Sequence, residues 1–597
     1  MSVALARLDV ETSGGVSASL DRLAGEDAIG QLLDRRGRMA SLATEDGDVK
    51  LDWADQMAWA LEHPDAIDGV EELAAWISSH FDHVIWSGMG GSVQAVQALK
   101  GLGLLELKGL SVHPLDSTDP AALNRVLREI AVGSDVAAAL QRSLMIGVSM
   151  GMTSEEPITH MRWFEALLNT HRVARPAEHL LAMTLPGSFL DRFAEERGAR
   201  RVAIQLDGQS HTPGRMSAPS TRVFLIPAAL CLGGRVDELL RSCQAEFLLW
   251  PGMDAGERSD VVREDQFVLL AAWLSAQIDQ GRYMVVLDLP ARWAPLAPWV
   301  EQVVEESLGK DGRGLLVFHD QDLAGASLWP DTFCVLRVDE GSGAAVESRP
   351  TAVLRLDKGA GALSRLAVCA RFFAGWNLAV ALVGYLQGIT FAGQPAVESY
   401  KTYARLLRDE PGELPYPANG LASTASGRLK LFAGAAPVPD LDGHDHEAGP
   451  VLAGVVRSLE AQRRLGYFDL TVNADPTGEL WESVRRAGTR FGNRVLRRPT
   501  KIRSGPRDYH STEQSETAGP PDILSLRVLV RNPEAISEGE YSSRFLHAQA
   551  LGTLFAMRDA GRPVLLATVN REDAGEAVVE LLGDATDRLG PGGAEAG

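Results

Sequence analysis

Five short apolar runs between residues 83 and 208 (HVIW, LSVHPLDS, SLMIGVS, LLAMTLPG and RVAIQLDG) are separated mostly by segments with apolar residues at three- and four-residue spacing. Strands that alternate with helices in this way predict βαβ units, and hence a parallel sheet with helices on its faces. A second alternating set follows: the helical LRSCQAEFLLW and FVLLAAWLSAQIDQG, the strand-like YMVVLDLP, GLLVFHD and TFCVLRVDE, then a long helical region over 362–388. A third set, YFDLTVNAD, LSLRVLVRN and PVLLATVN with helices between, follows the Pro/Gly/Asp-rich AGAAPVPDLDGHDHEAGP.

At 597 residues the chain exceeds one core, and usual domain sizes predict roughly three to four domains. The expected division is an N-terminal helical segment (1–70), two doubly wound sheet domains (71–221 and 222–430), a linker (431–450), a smaller C-terminal α/β domain (451–580) and a disordered tail (581–597). His444 and His446 in the linker read as solvated loop histidines rather than metal ligands.

The formal net charge of −21 argues against a nucleic-acid partner, because such binding is mostly phosphate neutralisation by Lys and Arg. Four widely spaced cysteines, Cys231, Cys243, Cys334 and Cys369, fit neither a zinc pattern nor a disulfide framework and suit a reducing cytoplasm. The N-terminus shows no basic region followed by an apolar stretch, so no signal peptide is expected. FFAGWNLAVALVGYL is interrupted by polar residues and reads as a buried helix, so no membrane partner is expected.

Several loops carry candidate chemistry. GVSMGMTSEEP (147–157) joins a strand to a helix and offers backbone N–H groups, the positive end of a helix dipole and the hydroxyls of Ser149, Thr153 and Ser154 to an anion. Met150 sits where a lysine would serve that purpose best. In GMGGS (88–92), Gly90, Gly91 and Ser92 allow close approach of a sugar or phosphate, yet the spacing matches neither a Walker loop nor a dinucleotide fingerprint. Arg215 in PGRMSAPS could fork toward an anionic oxygen or form an ordinary surface ion pair. QPAVESYK places Gln394, Glu398 and Lys401 near a helix start, where the last two could form a helical salt bridge. ESLGKDGRG by itself marks only a turn. HExxH is absent and no nucleophile triad is obvious, which favours proton transfer or plain binding over nucleophilic or metal-assisted hydrolysis.

Taken in order, GMGGS, LDSTDP, the serine/threonine loop, GRMSAPS with LIPAAL, VEQVVEESLGKDGRG and QPAVESYK resemble the glucose-6-phosphate isomerase family. The similarity is to the bacterial branch whose isomerase domain is also found fused to transaldolase, and GPRDYHSTEQ and AQALGTLFAMRDAGRP resemble its C-terminal region. It spans roughly residues 50–565. The resemblance implies two sugar-isomerase (SIS) sheet domains with the site in their cleft, a hexose 6-phosphate substrate, no cofactor or metal, and a possible homodimer. It implies phosphate contacts from Ser149, Thr153, Ser154 and Gln394, a glutamate at Glu156, an enediolate-steadying cation at Arg215 and a ring-opening lysine at Lys401. The base is expected after the GKDGRG turn, where an ungapped reading places Gln321, a neutral amide that cannot accept a proton as a carboxylate does. Asp320 or Asp322 would then have to substitute. No histidine lies between Lys358 and Asn377, and Asn377 stands where the family commonly has glutamate. Two readings follow: an aldose-ketose isomerase working through an enediol, or a noncatalytic sugar-phosphate-binding protein that has lost its base. An isomerase of a different, unphosphorylated sugar would be a third.

Overall fold

The computed structural model describes residues 5–590 except 12, 248, 340–348, 417–419, 439–445 and 540. Three sheets organise them. In the N-terminal sheet the strands Leu110–Leu115, His83–Ser87, Ser143–Ser149, Leu180–Thr184 and Arg200–Ala203 lie side by side and parallel, with Glu106–Leu107 added antiparallel at one edge. Every residue of Ser143–Ser149 and Leu180–Thr184 is buried, because helices cover both faces; this is why these segments read as unbroken apolar runs. In sequence order the parallel strands run 2-1-3-4-5. The winding reverses between His83–Ser87 and Ser143–Ser149, and the crevice at their carboxyl ends is where such sheets bind ligands.

The central sheet repeats this order with Leu316–Phe318, Met284–Asp288, Phe333–Asp339 and Thr351–Leu356, and is closed by Ala6–Asp9 antiparallel to the last of these. The N-terminal segment is therefore not purely helical: ARLD alternates buried Ala6 and Leu8 with outward Arg7, a pattern too short to stand out in the sequence. The C-terminal sheet again runs Thr500–Ser504, Tyr467–Asn473, Ile523–Val530, Val564–Val569. It is extended by Leu429–Ala433, Ala422–Ser423 and His446–Glu447 to seven strands, so it is not the smallest. Residues 422–433 and 446–447, expected in the second domain and the linker, thus belong to this sheet, while His444 lies outside the described residues. The helix Ala574–Leu589 covers its face with Ala577, Val578, Leu581 and Leu582 buried, so the expected disorder from residue 581 does not hold as far as Leu589; 591–597 lie outside the described residues.

One continuous apolar core joins the N-terminal helices to the first two sheets; the C-terminal sheet has a separate one on one face and shares another with the central sheet on the other. The helix Ala362–Gln387 runs through the first. At 26 residues it is longer than its interrupted apolar run suggested, and by length and composition it could cross a membrane; its most apolar window is buried throughout inside the protein. At Gly375 a Cβ would lie 2.2 Å from the Phe267 ring, so the glycine lets this helix approach Gln266–Asp279 closely. Gly375→Ala is expected to cost about 1–3 kcal/mol by overpacking, read as a lower denaturation midpoint. Gly69→Ala, in the helix Pro64–His80 with nothing within 4 Å, should leave the midpoint unchanged or raise it.

Candidate active site

The loops at the switch point of the N-terminal sheet form one wall of a cavity of about 340 Å³. The other walls come from the hairpin Thr44–Val49, the helix Ala297–Leu308, the start of Pro395–Asp409 and the helix Tyr509–Ala518. Gly90 has φ +53°, and a Cβ there would lie 2.3 Å from Gln302 Nε2; at Gly91 it would lie 2.2 Å from the Gly214 carbonyl. These glycines are what allow the first loop to meet the Arg215 loop and the central helix. Ser92 is buried beside them. In the second loop Ser149 Oγ donates to the Gly151 carbonyl (3.0 Å) and accepts from its N–H (3.2 Å), which curls the chain so that Thr153 and Ser154 face the cavity.

Arg215 is buried and fully engaged. Its Nε donates to Ser307 Oγ (2.7 Å), its Nη2 donates to the carbonyls of Phe391 (2.5 Å) and Gly393 (3.3 Å), and its Nη1 lies 3.6 Å from Glu306 Oε1. Gln302, one turn earlier on the helix, donates to Glu306 Oε2 at 3.0 Å. Burial raises the Glu306 carboxyl above its ordinary value, opposed by the charge of Arg215 and by His510. Its neighbour Glu305 points elsewhere: it accepts from Lys501, Ser515 and the Val317 N–H. Only one of the two adjacent glutamates therefore faces the cavity.

Opposite them, Glu156 Oε1 lies 3.1 Å from His510 Nε2 and accepts from Gln549 Nε2 at 3.0 Å. Burial pushes this carboxyl up, yet attraction to His510, their hydrogen bond and the charge of Lys401 outweigh it and hold Glu156 at about 2. Lys401 donates to Glu398 Oε1 at 2.8 Å, and Gln394 stands at the N-cap of the same helix. The structure thus brings Gly90, Gly91, Ser92, Ser149, Thr153, Ser154, Arg215, Gln394 and Lys401 together around one cavity, with Glu156 behind its lining residue His510.

It does not bring Asp320, Gln321 or Asp322 there. Gln321 Nε2 donates to the carbonyls of His319 (2.6 Å) and Thr500 (2.8 Å), and its Oε1 accepts from the Thr500 N–H and from Asn493. Asp320 pairs with His319 (2.9 Å), and with Gln321 it lines a separate cavity of about 210 Å³. Asp322 pairs with Arg494. The glutamate near that turn that does line the cavity is Glu306, at the end of the preceding helix in ESLGK. Among the described residues that line the cavity the histidine is His510, in GPRDYHSTEQ. Asn377 is not a cleft residue; its Nδ2 donates to the carbonyls of Met216 and Ala218 and ties down the loop that carries Arg215. Among the described residues no cluster of His, Cys, Asp and Glu could hold a metal ion. A larger groove of about 660 Å³ is lined by Arg162, Arg192, Arg408 and Arg544 together with Glu155, Glu196 and Asp409, and in it Glu155 and Arg408 engage each other at 2.9 Å.

No protein-family model matches the chain. It is 31% identical over 259 residues to a glucose-6-phosphate isomerase of Thermosynechococcus vestitus, a match covering 41% of this chain and 45% of that protein. To the glucose-6-phosphate isomerase of Parasynechococcus marenigrum it is 31% identical over 255 residues, 41% of each chain. The matched segment thus spans less than half the length of these curated relatives. In fold it is similar to a glucose-6-phosphate isomerase from Chlamydia trachomatis, with TM-score 0.53, 16% identity, and coverage of 69% of this chain and 90% of that one. A hypothetical protein from Thermus thermophilus gives TM-score 0.52 and 22% identity over 67% of this chain and 99% of that one. The α/β architecture of parallel SIS-type sheet domains is shared with these structures.

The site makes one correction directly testable. Gln321→Glu removes the donors to two carbonyls and is expected to destabilise the protein by roughly 1–3 kcal/mol, lowering the melting temperature.

Proposed function

The chain is a divergent relative of the glucose-6-phosphate isomerase family, and from that premise we propose that its cleft interconverts the aldose and ketose forms of a hexose 6-phosphate through an enediol. The observation that carries this reading is Glu306: a buried carboxyl with a raised pKa, 3.6 Å from Arg215, facing the same small cavity as His510, which Glu156 holds from behind. Such a reaction needs a base for the proton that moves between C1 and C2, and Glu306 takes that role. Burial makes the ionised form a stronger acceptor than a solvated glutamate, because the low-dielectric surroundings favour its protonated state. As the proton leaves carbon, negative charge develops on the substrate oxygen. Arg215 cannot retreat from it, since three of its contacts are to backbone carbonyls or a buried hydroxyl, and a cation fixed in advance stabilises that charge without reorganising.

Ring opening requires a proton to pass between the ring oxygen and a nearby group. His510, whose Nε2 is fixed by Glu156, supports that step, with Lys401 beside it. The hydroxyls of Ser149, Thr153 and Ser154 and the N-terminus of the helix Glu156–Thr170 support binding of the phosphate. The binding-only reading rested on Gln321 as the missing base, a residue that lies outside this cavity.

Glu306→Gln is the test. In a coupled assay from fructose 6-phosphate, kcat is expected to fall by about 10²–10⁴, with fructose 6-phosphate binding within a few-fold of wild type. Because the folded protein raises this carboxyl, kcat/KM of the wild type should climb with pH through a limb above the ordinary glutamate range, as Glu306 loses its proton. Wild-type protein that binds fructose 6-phosphate without turning it over would leave the binding-only reading standing instead.

A further inference from the structure

The loop proposed to hold the phosphate contains no cation, and the chain around it is strongly acidic. A dianion placed against hydroxyls and backbone N–H groups alone would face the unfavourable field of a protein of formal charge −21. Among the described residues lining the cavity, the lysines and arginines are Lys50, Arg215 and Lys401. Arg215, bound through Nε and Nη2 to Ser307 and two carbonyls, is assigned above to the oxygen at the reacting carbons, and Lys401, paired with Glu398, to ring opening beside His510. Lys50 is different. Its side chain is only 14% exposed, so it lies in the wall of the cavity rather than in solvent. Its Nζ donates to the Ser210 carbonyl at 3.1 Å and has a long 3.4 Å contact to Asp48. An ammonium has three donors, so one direction is left for a ligand.

We propose that Lys50, at the end of the hairpin Thr44–Val49, supplies the charge that binds the substrate's phosphate against the loop 149–154. The segment from Ser210 to Gly214 connects the two: Lys50 anchors on Ser210, Thr212 and Pro213 line the cavity, and a Cβ on Gly214 would lie 3.3 Å from Met150 Cβ. Met150 therefore borders the same space from the loop side. Glu45 and Asp46 on the same hairpin also line the cavity, and without Lys50 this wall would show an approaching dianion only carboxylates. This assignment deepens the sugar-phosphate reading of the site and rests on it.

Calorimetry on the full-length protein tests it, with fructose 6-phosphate and inorganic phosphate as ligands. Lys50→Met keeps the aliphatic stem and removes the charge, and is expected to weaken both ligands about tenfold or more, as loss of a charge-assisted contact should. Isomerase KM should rise far more than kcat falls. Lys50→Arg should retain most of the affinity, and Met150→Lys added to Lys50→Met should recover it by returning a cation from the other side. Lys50→Met that binds both ligands as wild type does overturns the proposal. So does a weakened variant that neither Met150→Lys nor Lys50→Arg rescues, since the lysine would then act only by holding the hairpin. Wild type that binds neither ligand also overturns it. Binding that depends on Lys50 in a protein without turnover supports the assignment and sinks only the catalytic role of Glu306.

Discussion

The helix Ala297–Leu308 is the brace on which the three sheets depend. Its successive carboxylates reach in different directions: Glu306 toward Arg215 from the first domain, Glu305 toward Lys501, and Glu301 toward Lys501 and Arg503 on the C-terminal sheet. All of these side chains are buried or nearly so. Buried charges gain little net stability over a well-packed apolar alternative, but losing one partner of such a pair strands the other at about 3–5 kcal/mol. The arrangement therefore acts mainly as a register: any other docking of the domains would leave unpaired charges inside the protein.

The same logic governs the cleft. Three ionisable pairs are matched within it, Glu306 with Arg215, Glu156 with His510 and Glu398 with Lys401, while Glu45, Asp46 and Lys50 line the wall formed by the hairpin. What distinguishes the pairs is fixation. Arg215 is locked from several sides, whereas Lys401 is held by a single helical partner.

Much of this organisation was legible in the sequence. Strands buried on both faces leave unbroken apolar runs, so HVIW, SLMIGVS and LLAMT announced the parallel sheet, and loops with glycine and hydroxyl residues at strand ends marked the crevice. Arg215, Gln394 and Lys401 were found because each lies in a contiguous motif. What escaped were residues whose role depends on where a side chain points or on pairing across long separations. Glu305 and Glu306 are indistinguishable as letters; only the helical rotation between them decides which meets Arg215. His510 lies far along the chain in another domain, and no local pattern ties it to Glu156. ARLD joined a sheet whose other strands begin nearly three hundred residues later, too distant for periodicity to indicate.

The strand order 2-1-3-4 occurs in all three sheets, yet only the N-terminal sheet opens its crevice onto the cavity, and the other two contribute helices to close it. The anion loop, the carboxyl and the imidazole thus reside on separately wound units, and no single unit contains a complete set. The cavity is in that sense a property of the tertiary assembly alone: loosening the packing between the sheets would disperse its lining even with each sheet intact.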